Sequence, residues 1–197
     1  MTRPTFFVEE DKILAALFEE GLDDLHIFKP GSSPVYVERL LSLLPDNTHH
    51  RITVHDHFYL KEEFGLAGIH LDNGITTRPA GYHGNFSCSC SSLGQIKENK
   101  KKSRYVFLRN IFDSLSIPEE KATFSLAELQ TASRLGLIDK HVYALGGIRG
   151  ENVRMMHDLG FGGVVICGDL WNRFDIHSET DFSPIIKQFV RIKSAIG

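Results

Sequence analysis

Short β-branched or aromatic runs alternate along this chain with segments whose apolar residues recur at helical spacing. Pro4 to Val8 predicts a first strand. Glu10 to Glu20 then sets Ile13, Leu14, Leu17 and Phe18 on one helical face, and Gly21 ends it. A second strand runs from Leu25 to Lys29 and stops at Pro30-Gly31. Ser33 and Pro34 read as N-cap and first helical residue ahead of Val37, Leu40, Leu41 and Leu44, and Pro45 closes that helix. Arg51 to His55 predicts the third strand, Phe58 to Phe64 a short helix, and Gly68 to Leu71 the fourth strand. Asn85 to Cys88 predicts the fifth, followed by a helix capped at Ser92 and reaching Lys100. Tyr105 to Leu108 is the sixth strand, Leu126 to Leu135 a helix, and His141 to Leu145 the seventh strand. Glu151 to Leu159 is helical and Gly163 to Cys167 is the eighth strand. Ser183-Pro184 opens a last amphipathic helix through Ile185, Ile186, Phe189, Val190 and Ile192.

Eight strands alternating with helices, with no hairpin signal, imply parallel strands and right-handed crossovers. The expected fold is α/β: a single (β/α)₈ TIM barrel with a parallel eight-stranded core, one domain over residues 1–197. A doubly wound open sheet competes, but no Gly-x-Gly-x-x-Gly follows the first strand, which disfavours its dinucleotide-binding version. A chain of 197 residues, 42% hydrophobic, supports one full core. The formal charge of −3 offers no basic field to nucleic acid, and Lys100-Lys101-Lys102 reads as a solvated helix end. No apolar stretch approaches membrane-spanning length and no signal-peptide pattern opens the chain, so a cytoplasmic location is expected. Three cysteines make no disulfide framework; Cys88-Ser89-Cys90 is too closely spaced for a zinc knuckle.

Functional residues of a parallel barrel collect at the C-terminal ends of its strands. Those ends carry His26 and Lys29, His55-Asp56-His57, His70 and Asp72, Ser87 to Ser92, Asp113, Ser114 and Ser116, Gly146-Gly147, and Cys167-Gly168. The glycines after strands seven and eight leave backbone N–H groups open to a ligand, which suits a phosphate; the bland alternative is a tight βα corner. Asp56 and Asp72 end adjacent strands and are placed to share Mg²⁺. Against this, Asp56 is a plausible cap of the next helix, and Asp72 a turn former with Asn73-Gly74. His55, His57 and His70 read as structural or substrate-contacting rather than as a zinc set. In an extended segment Ser114 and Ser116 face the same way and suit an anionic ligand, or are ordinary loop serines.

The strand ends resemble a known family. Leu25-His26-Ile27-Phe28-Lys29-Pro30, Ile52-Thr53-Val54-His55-Asp56, Gly68-Ile69-His70-Leu71, Ser89-Cys90-Ser91-Ser92-Leu93, Ile111-Phe112-Asp113-Ser114-Leu115-Ser116, Ala144-Leu145-Gly146-Gly147-Ile148 and Gly163 to Gly168 follow in the order of thiamine-phosphate synthase (thiamine-phosphate pyrophosphorylase) and its relative, the TenI thiazole tautomerase. The resemblance runs almost end to end and implies a transferase of thiamine biosynthesis. Such an enzyme joins hydroxymethylpyrimidine diphosphate to thiazole phosphate, with Mg²⁺ and release of diphosphate. By the resemblance Asp56 matches the first metal aspartate, and Asp72 stands near the place of the second. Ser89 lies near the reacting centre and Lys29 supplies a nearby cation. Ser114 and Ser116 bind diphosphate, while Gly146, Gly147, Cys167 and Gly168 bind thiazole phosphate. His26 and His55, at their strand ends, complete the substrate-binding set.

Several positions depart from the family pattern. Phe28 replaces an arginine, Asp72-Asn73-Gly74-Ile75 replaces Gly-Gln-Glu-Asp, Arg109-Asn110 replaces Gly-Pro, and Ile117 replaces a lysine. The tautomerase histidine is Ser91, so a tautomerase would need another proton carrier such as His26 or His70. A TenI-like tautomerase and a non-catalytic binder of phosphate esters are therefore the alternatives. The implied partners are small phosphorylated thiazole and pyrimidine compounds, without nucleic acid or membrane; homo-oligomerisation stays open.

Overall fold

A computed structural model describes residues 1–72, 78–175 and 181–195. Alternation along the strands decides its organisation. Leu25, Ile27, Ile52, Val54, Ile69, Leu71, Phe86, Cys88, Val106, Leu108, Val142 and Ala144 turn outward into the core beneath the helices. The intervening positions turn inward, where Tyr105, Phe107 and Val165 form a second, smaller cluster with Met1, Tyr143 and Leu145. A residue-by-residue change of face is the period of a strand.

The strands are β1 (Leu25–Ile27), β2 (Ile52–Val54), β3 (Gly68–Leu71), β4 (Phe86–Cys90), β5 (Val106–Leu108), β6 (Val142–Leu145) and β7 (Gly163–Val165). They pair in sequence order and all in parallel. The α-helices among the described residues are α1 (Glu10–Glu19), α2 (Pro34–Leu43), α3 (Leu60–Glu63), α4 (Leu93–Asn99), α5 (Leu126–Arg134), α6 (Val153–Asp158), α7 (Gly168–Trp171) and α8 (Ser183–Ser194), with 3-10 turns at Asp46–Arg51 and Gly150–Asn152. The amphipathic pattern is realised where it was strongest: α1 buries Ile13, Leu14, Leu17 and Phe18, and Gly21 leaves it at φ 84°. Among the described residues, no helix is long and apolar enough to cross a membrane.

The closed eight-stranded barrel expected from the sequence is not what forms. The sheet has seven strands and is a TIM-barrel-like half-barrel, because Pro4 to Val8 is not a strand. The apolar residues of that run have another use. Phe6 lies under the Lys29 ammonium, 4.4 Å from ring centroid to nitrogen, and Phe7 packs edge-on to Trp171 at 5.7 Å.

The bridging of the two free sheet edges falls to the residues just before. Thr2 N donates to His26 O on β1 at 2.9 Å, and the Met1 ammonium donates to Ile166 O, one residue past β7, at 3.1 Å. The Thr2 hydroxyl accepts from Phe28 N at 2.9 Å, and Trp171 Nε1 donates to Met1 O at 2.9 Å. Beneath Met1 a cavity bordered by Leu17, His26, Gly163 and Phe189 separates β1 from β7.

Thr2→Val keeps the shape of this fully buried side chain but strands the Phe28 N–H. An unsatisfied buried donor costs about 1–3 kcal/mol, so urea unfolding of the variant is expected to show a loss of that size. Unchanged stability would mean that the hydroxyl does not hold the edge.

Candidate functional site

The loops after β3, β5, β6 and β7 enclose a cleft at the C-terminal end of the sheet. Asp72, Arg109, Ser114, Ser116, Gly146, Gly147, Cys167 and Gly168 line it, with Thr2 and Phe28. Seven positions singled out in the sequence thus meet in one place: Asp72, the two serines, the three glycines and Cys167.

The reason the glycines are bare differs from the expected one. A Cβ on Gly147 would stand 2.3 Å from Asp113 O, and one on Gly168 would stand 2.5 Å from Leu115 Cβ. Both glycines therefore let the 110–117 loop press against the loops after β6 and β7. Gly147 also sits at φ 63°, where a side chain is strained. Phe112 N donates to Gly146 O at 3.0 Å and ties the loops together. Ser114 Oγ accepts from Ile117 N at 3.1 Å and from Ser116 N at 3.3 Å, so this hydroxyl folds its own loop. Burial pushes the Cys167 thiol pKa up, against smaller opposing effects of the Met1 ammonium and then Ser116.

Charge on the opposite wall is concentrated in one chain of contacts. Arg109 Nη1 lies 3.2 Å from Asp72 Oδ1 and Nη2 lies 3.3 Å from Glu120 Oε1. Asp72 Oδ2 in turn lies 3.6 Å from His55 Nδ1. The Asp72 carboxyl is held well below the usual range by His55, His70 and Arg109, despite the opposing effect of burial.

Below the cleft the inner face of the sheet is polar. His26 Nδ1 is 2.9 Å from His55 Nε2, and His26 Nε2 is 2.7 Å from Tyr105 Oη. His70 bonds Ser87 Oγ at 2.7 Å and Ser89 Oγ at 3.0 Å. Burial drives all three histidines below their usual pKa, so they are neutral at pH 7. His26, His55 and His70 bring one ring nitrogen each within 4.8 Å of the others. They do not make a metal centre as they stand: His55 and His70 are stacked at 4.3 Å and 26°, so a cation in the plane of one ring lies outside the plane of the other. Both His70 nitrogens are also engaged by serines.

Other expected site residues lie elsewhere. Lys29, predicted as a catalytic cation, is buried beside Glu10, with Nζ 2.6 and 2.8 Å from the two carboxylate oxygens and 3.0 Å from Thr5 O. Its charge is met within the fold. Asp56 does not line the cleft, and both Asp72 oxygens face nitrogen atoms of Arg109 and His55. His26, His55 and Ser89 sit on the inner face rather than on the cleft wall, and His57 Nε2 is 2.8 Å from Ser32 O. The turn expected at Asn73-Gly74, and Ile75, lie outside the described residues. Tyr105 and Glu120 were missed. Tyr105 was legible in principle, because it precedes inward-facing Phe107 by two residues; Glu120 gave no signal, since loop geometry alone brings it to Arg109.

No protein-family model matches the chain, and no curated protein sequence does. Among solved structures it is similar to a thiamine phosphate pyrophosphorylase from Bacteroides thetaiotaomicron, with 46% identity and a TM-score of 0.89 over 98% of this chain and 94% of that one. A thiamine phosphate pyrophosphorylase from Pyrococcus furiosus shares 16% identity and a TM-score of 0.73, over 100% of this chain and 95% of that one. A 3-hexulose-6-phosphate synthase shares 12% identity and a TM-score of 0.63, over 100% and 98%. The last two likenesses show the fold alone.

Two consequences are measurable. Lys29→Met leaves Glu10 as a buried unpaired charge and is expected to cost about 3–5 kcal/mol, whereas adding Glu10→Leu restores most of it; a double variant as unstable as the single one contradicts this. The three histidines have folded pKa values depressed below 6.5, so the unfolded chain binds more protons below that pH. Stability is full above it and falls on acidification, by up to about 1.4 kcal/mol per pH unit per histidine. Urea unfolding at pH 7.5 and 5.5 checks this, and a flat profile refutes it.

Proposed function

We propose a transferase of thiamine biosynthesis, because the chain belongs to the thiamine phosphate pyrophosphorylase family. The reaction is the attack of a thiazole phosphate nitrogen on the methylene carbon of hydroxymethylpyrimidine diphosphate. A C–N bond forms, the C–O bond to diphosphate breaks, and thiamine phosphate and diphosphate leave. The single observation that carries this reading is the meeting of Ser116, Gly146, Gly147, Cys167 and Gly168 in one cleft at the strand ends. Those loops are the cradle for thiazole phosphate, with backbone N–H groups as donors.

The diphosphate side is assigned to Arg109, whose guanidinium lines the cleft. Catalysis there is positioning and stabilisation of charge on the departing group. No step is assigned to Mg²⁺; Asp56 and Asp72 are the residues that would hold it, with the Asp72 oxygens here facing Arg109 and His55. A second reading rests on one observation: Arg109 is held between two carboxylates, Asp72 and Glu120. That wall carries a net negative charge and suits a phosphate ester better than a diphosphate, as in a tautomerase or a binding protein acting on thiazole phosphate alone.

Purified protein given both substrates, with and without Mg²⁺, is expected to form thiamine phosphate, read by chromatography. Arg109→Ala is expected to lower kcat/KM by about 10- to 100-fold, the size of a lost charged hydrogen bond of roughly 1.5–3 kcal/mol. No product at high enzyme concentration, with thiazole phosphate still bound, overturns the transferase and leaves the second reading.

A further inference from the structure

A second cavity lies in the gap between β1 and β7. Those strands stand at the two ends of the strand order, so neither carries a strand on its outer side among the described residues. Thr2 N reaches His26 O at 2.9 Å on one edge, and the Met1 ammonium reaches Ile166 O at 3.1 Å on the other. Two successive residues thus span the gap, which makes it one strand wide, roughly 10 Å from edge to edge at twice the strand spacing. Beneath Met1 a cavity of about 220 Å³ remains between the edges.

Its walls are aliphatic and aromatic: Leu14 and Leu17 of α1, Phe189 and Ile192 of α8, and Phe107 and Tyr143 of the sheet. Tyr143 lies flat against Tyr105, with centroids 4.7 Å apart at 7°, which braces that wall. The polar side chains around the space are already engaged. Trp171 Nε1 donates to Met1 O at 2.9 Å, and His55 and Tyr105 occupy both His26 nitrogens. Lys193 Nζ donates to Glu20 O at 3.2 Å and to Gly21 O at 2.9 Å. Asp23 and Asp24 border the space where the chain enters β1, and with the Met1 ammonium and Lys193 the bordering charges cancel. Cavities of about 150 Å³ lined by Leu, Ile and Phe stay dry and take up benzene; this one is larger by about half.

We propose that this gap is a second binding site, for a small neutral aromatic molecule of one or two fused rings, seated between α1, α8 and the two sheet edges. The volume sets the size of the occupant. A flat ring suits a slot one strand wide, and the rings of Phe107, Tyr143 and Phe189 offer it edge-to-face or offset contacts. A charged group is disfavoured, because it would give up its water to enter walls whose cations already rest on backbone carbonyls. The occupant packs against both β1 and β7, so it stabilises the folded chain by mass action. Met1 and Val165 border both this cavity and the cleft, but the site does not depend on what the cleft binds.

The test is titration of the full chain with indole, followed by calorimetry, thermal unfolding and methyl NMR. Indole is expected to bind saturably, to raise Tm as its concentration rises, and to give ring-proton NOEs to the methyl groups of Leu14, Leu17 and Ile192. Benzoate and benzylammonium, each a single ring with a charge, should bind about tenfold more weakly or worse. Leu17→Trp places a ring of its own in the space and should weaken indole binding by about tenfold or more. Where that variant does not fold, the NOEs on wild type decide the matter alone. The proposal is overturned by the absence of saturable indole binding, by NOEs to Ile117 and Ile148 of the cleft instead, or by a charged ring that binds as tightly. Indole affinity unchanged in a folded Leu17→Trp protein also overturns it. Stabilisation by an extended valine-rich peptide but not by indole assigns the gap to a strand and overturns it as well.

Discussion

The amide of Thr2 on the carbonyl of His26, and the ammonium of Met1 on the carbonyl of Ile166, span the gap between the first and last strands. A parallel sheet of seven strands curls until its edges face one another, and each edge presents backbone groups that need partners. Two residues meet part of that need. The consequences reach the site: Met1 and Thr2 form part of the cleft wall. The chain that leaves them places Thr5 O and Phe6 against Lys29. The bond to His26 O fixes the strand that carries the inner-face histidine beside Tyr105.

Much of this was legible in the sequence because it is written in periodicity. All seven strands were expected within a few residues; α1 and α5 follow from apolar spacing, and α2 and α8 from apolar spacing with Ser and Pro at their starts. The run Pro4 to Val8 misled because aromatic residues that cover a buried ion pair look, in one dimension, like residues that pair in a sheet. Lys29 misled for a related reason. Its position at a strand end is that of a catalytic cation, and only the return of α1 reveals Glu10 at 2.6 Å.

For the candidate site, position was legible and role was not. The strand-end rule located the cleft residues, but the partners of Ser114, Arg109 and Asp72 come from loops whose paths periodicity does not encode. The same holds for Gly147 and Gly168. Their lack of a side chain was visible, yet it serves the approach of a neighbouring loop as much as that of a ligand.

The strands bear two cores that hardly communicate. Outward residues are mostly aliphatic or sulfur-bearing and pack under helices; inward ones are mostly imidazole, hydroxyl and aromatic. Because the two sets occupy alternate positions, a substitution in one leaves the helix packing of the other nearly untouched. Selection can then revise the chemistry of the lumen at little risk to foldability. Evolutionary drift in this protein should accordingly be cheap on one side of each strand and expensive on the other, a mutational asymmetry with a period of two residues.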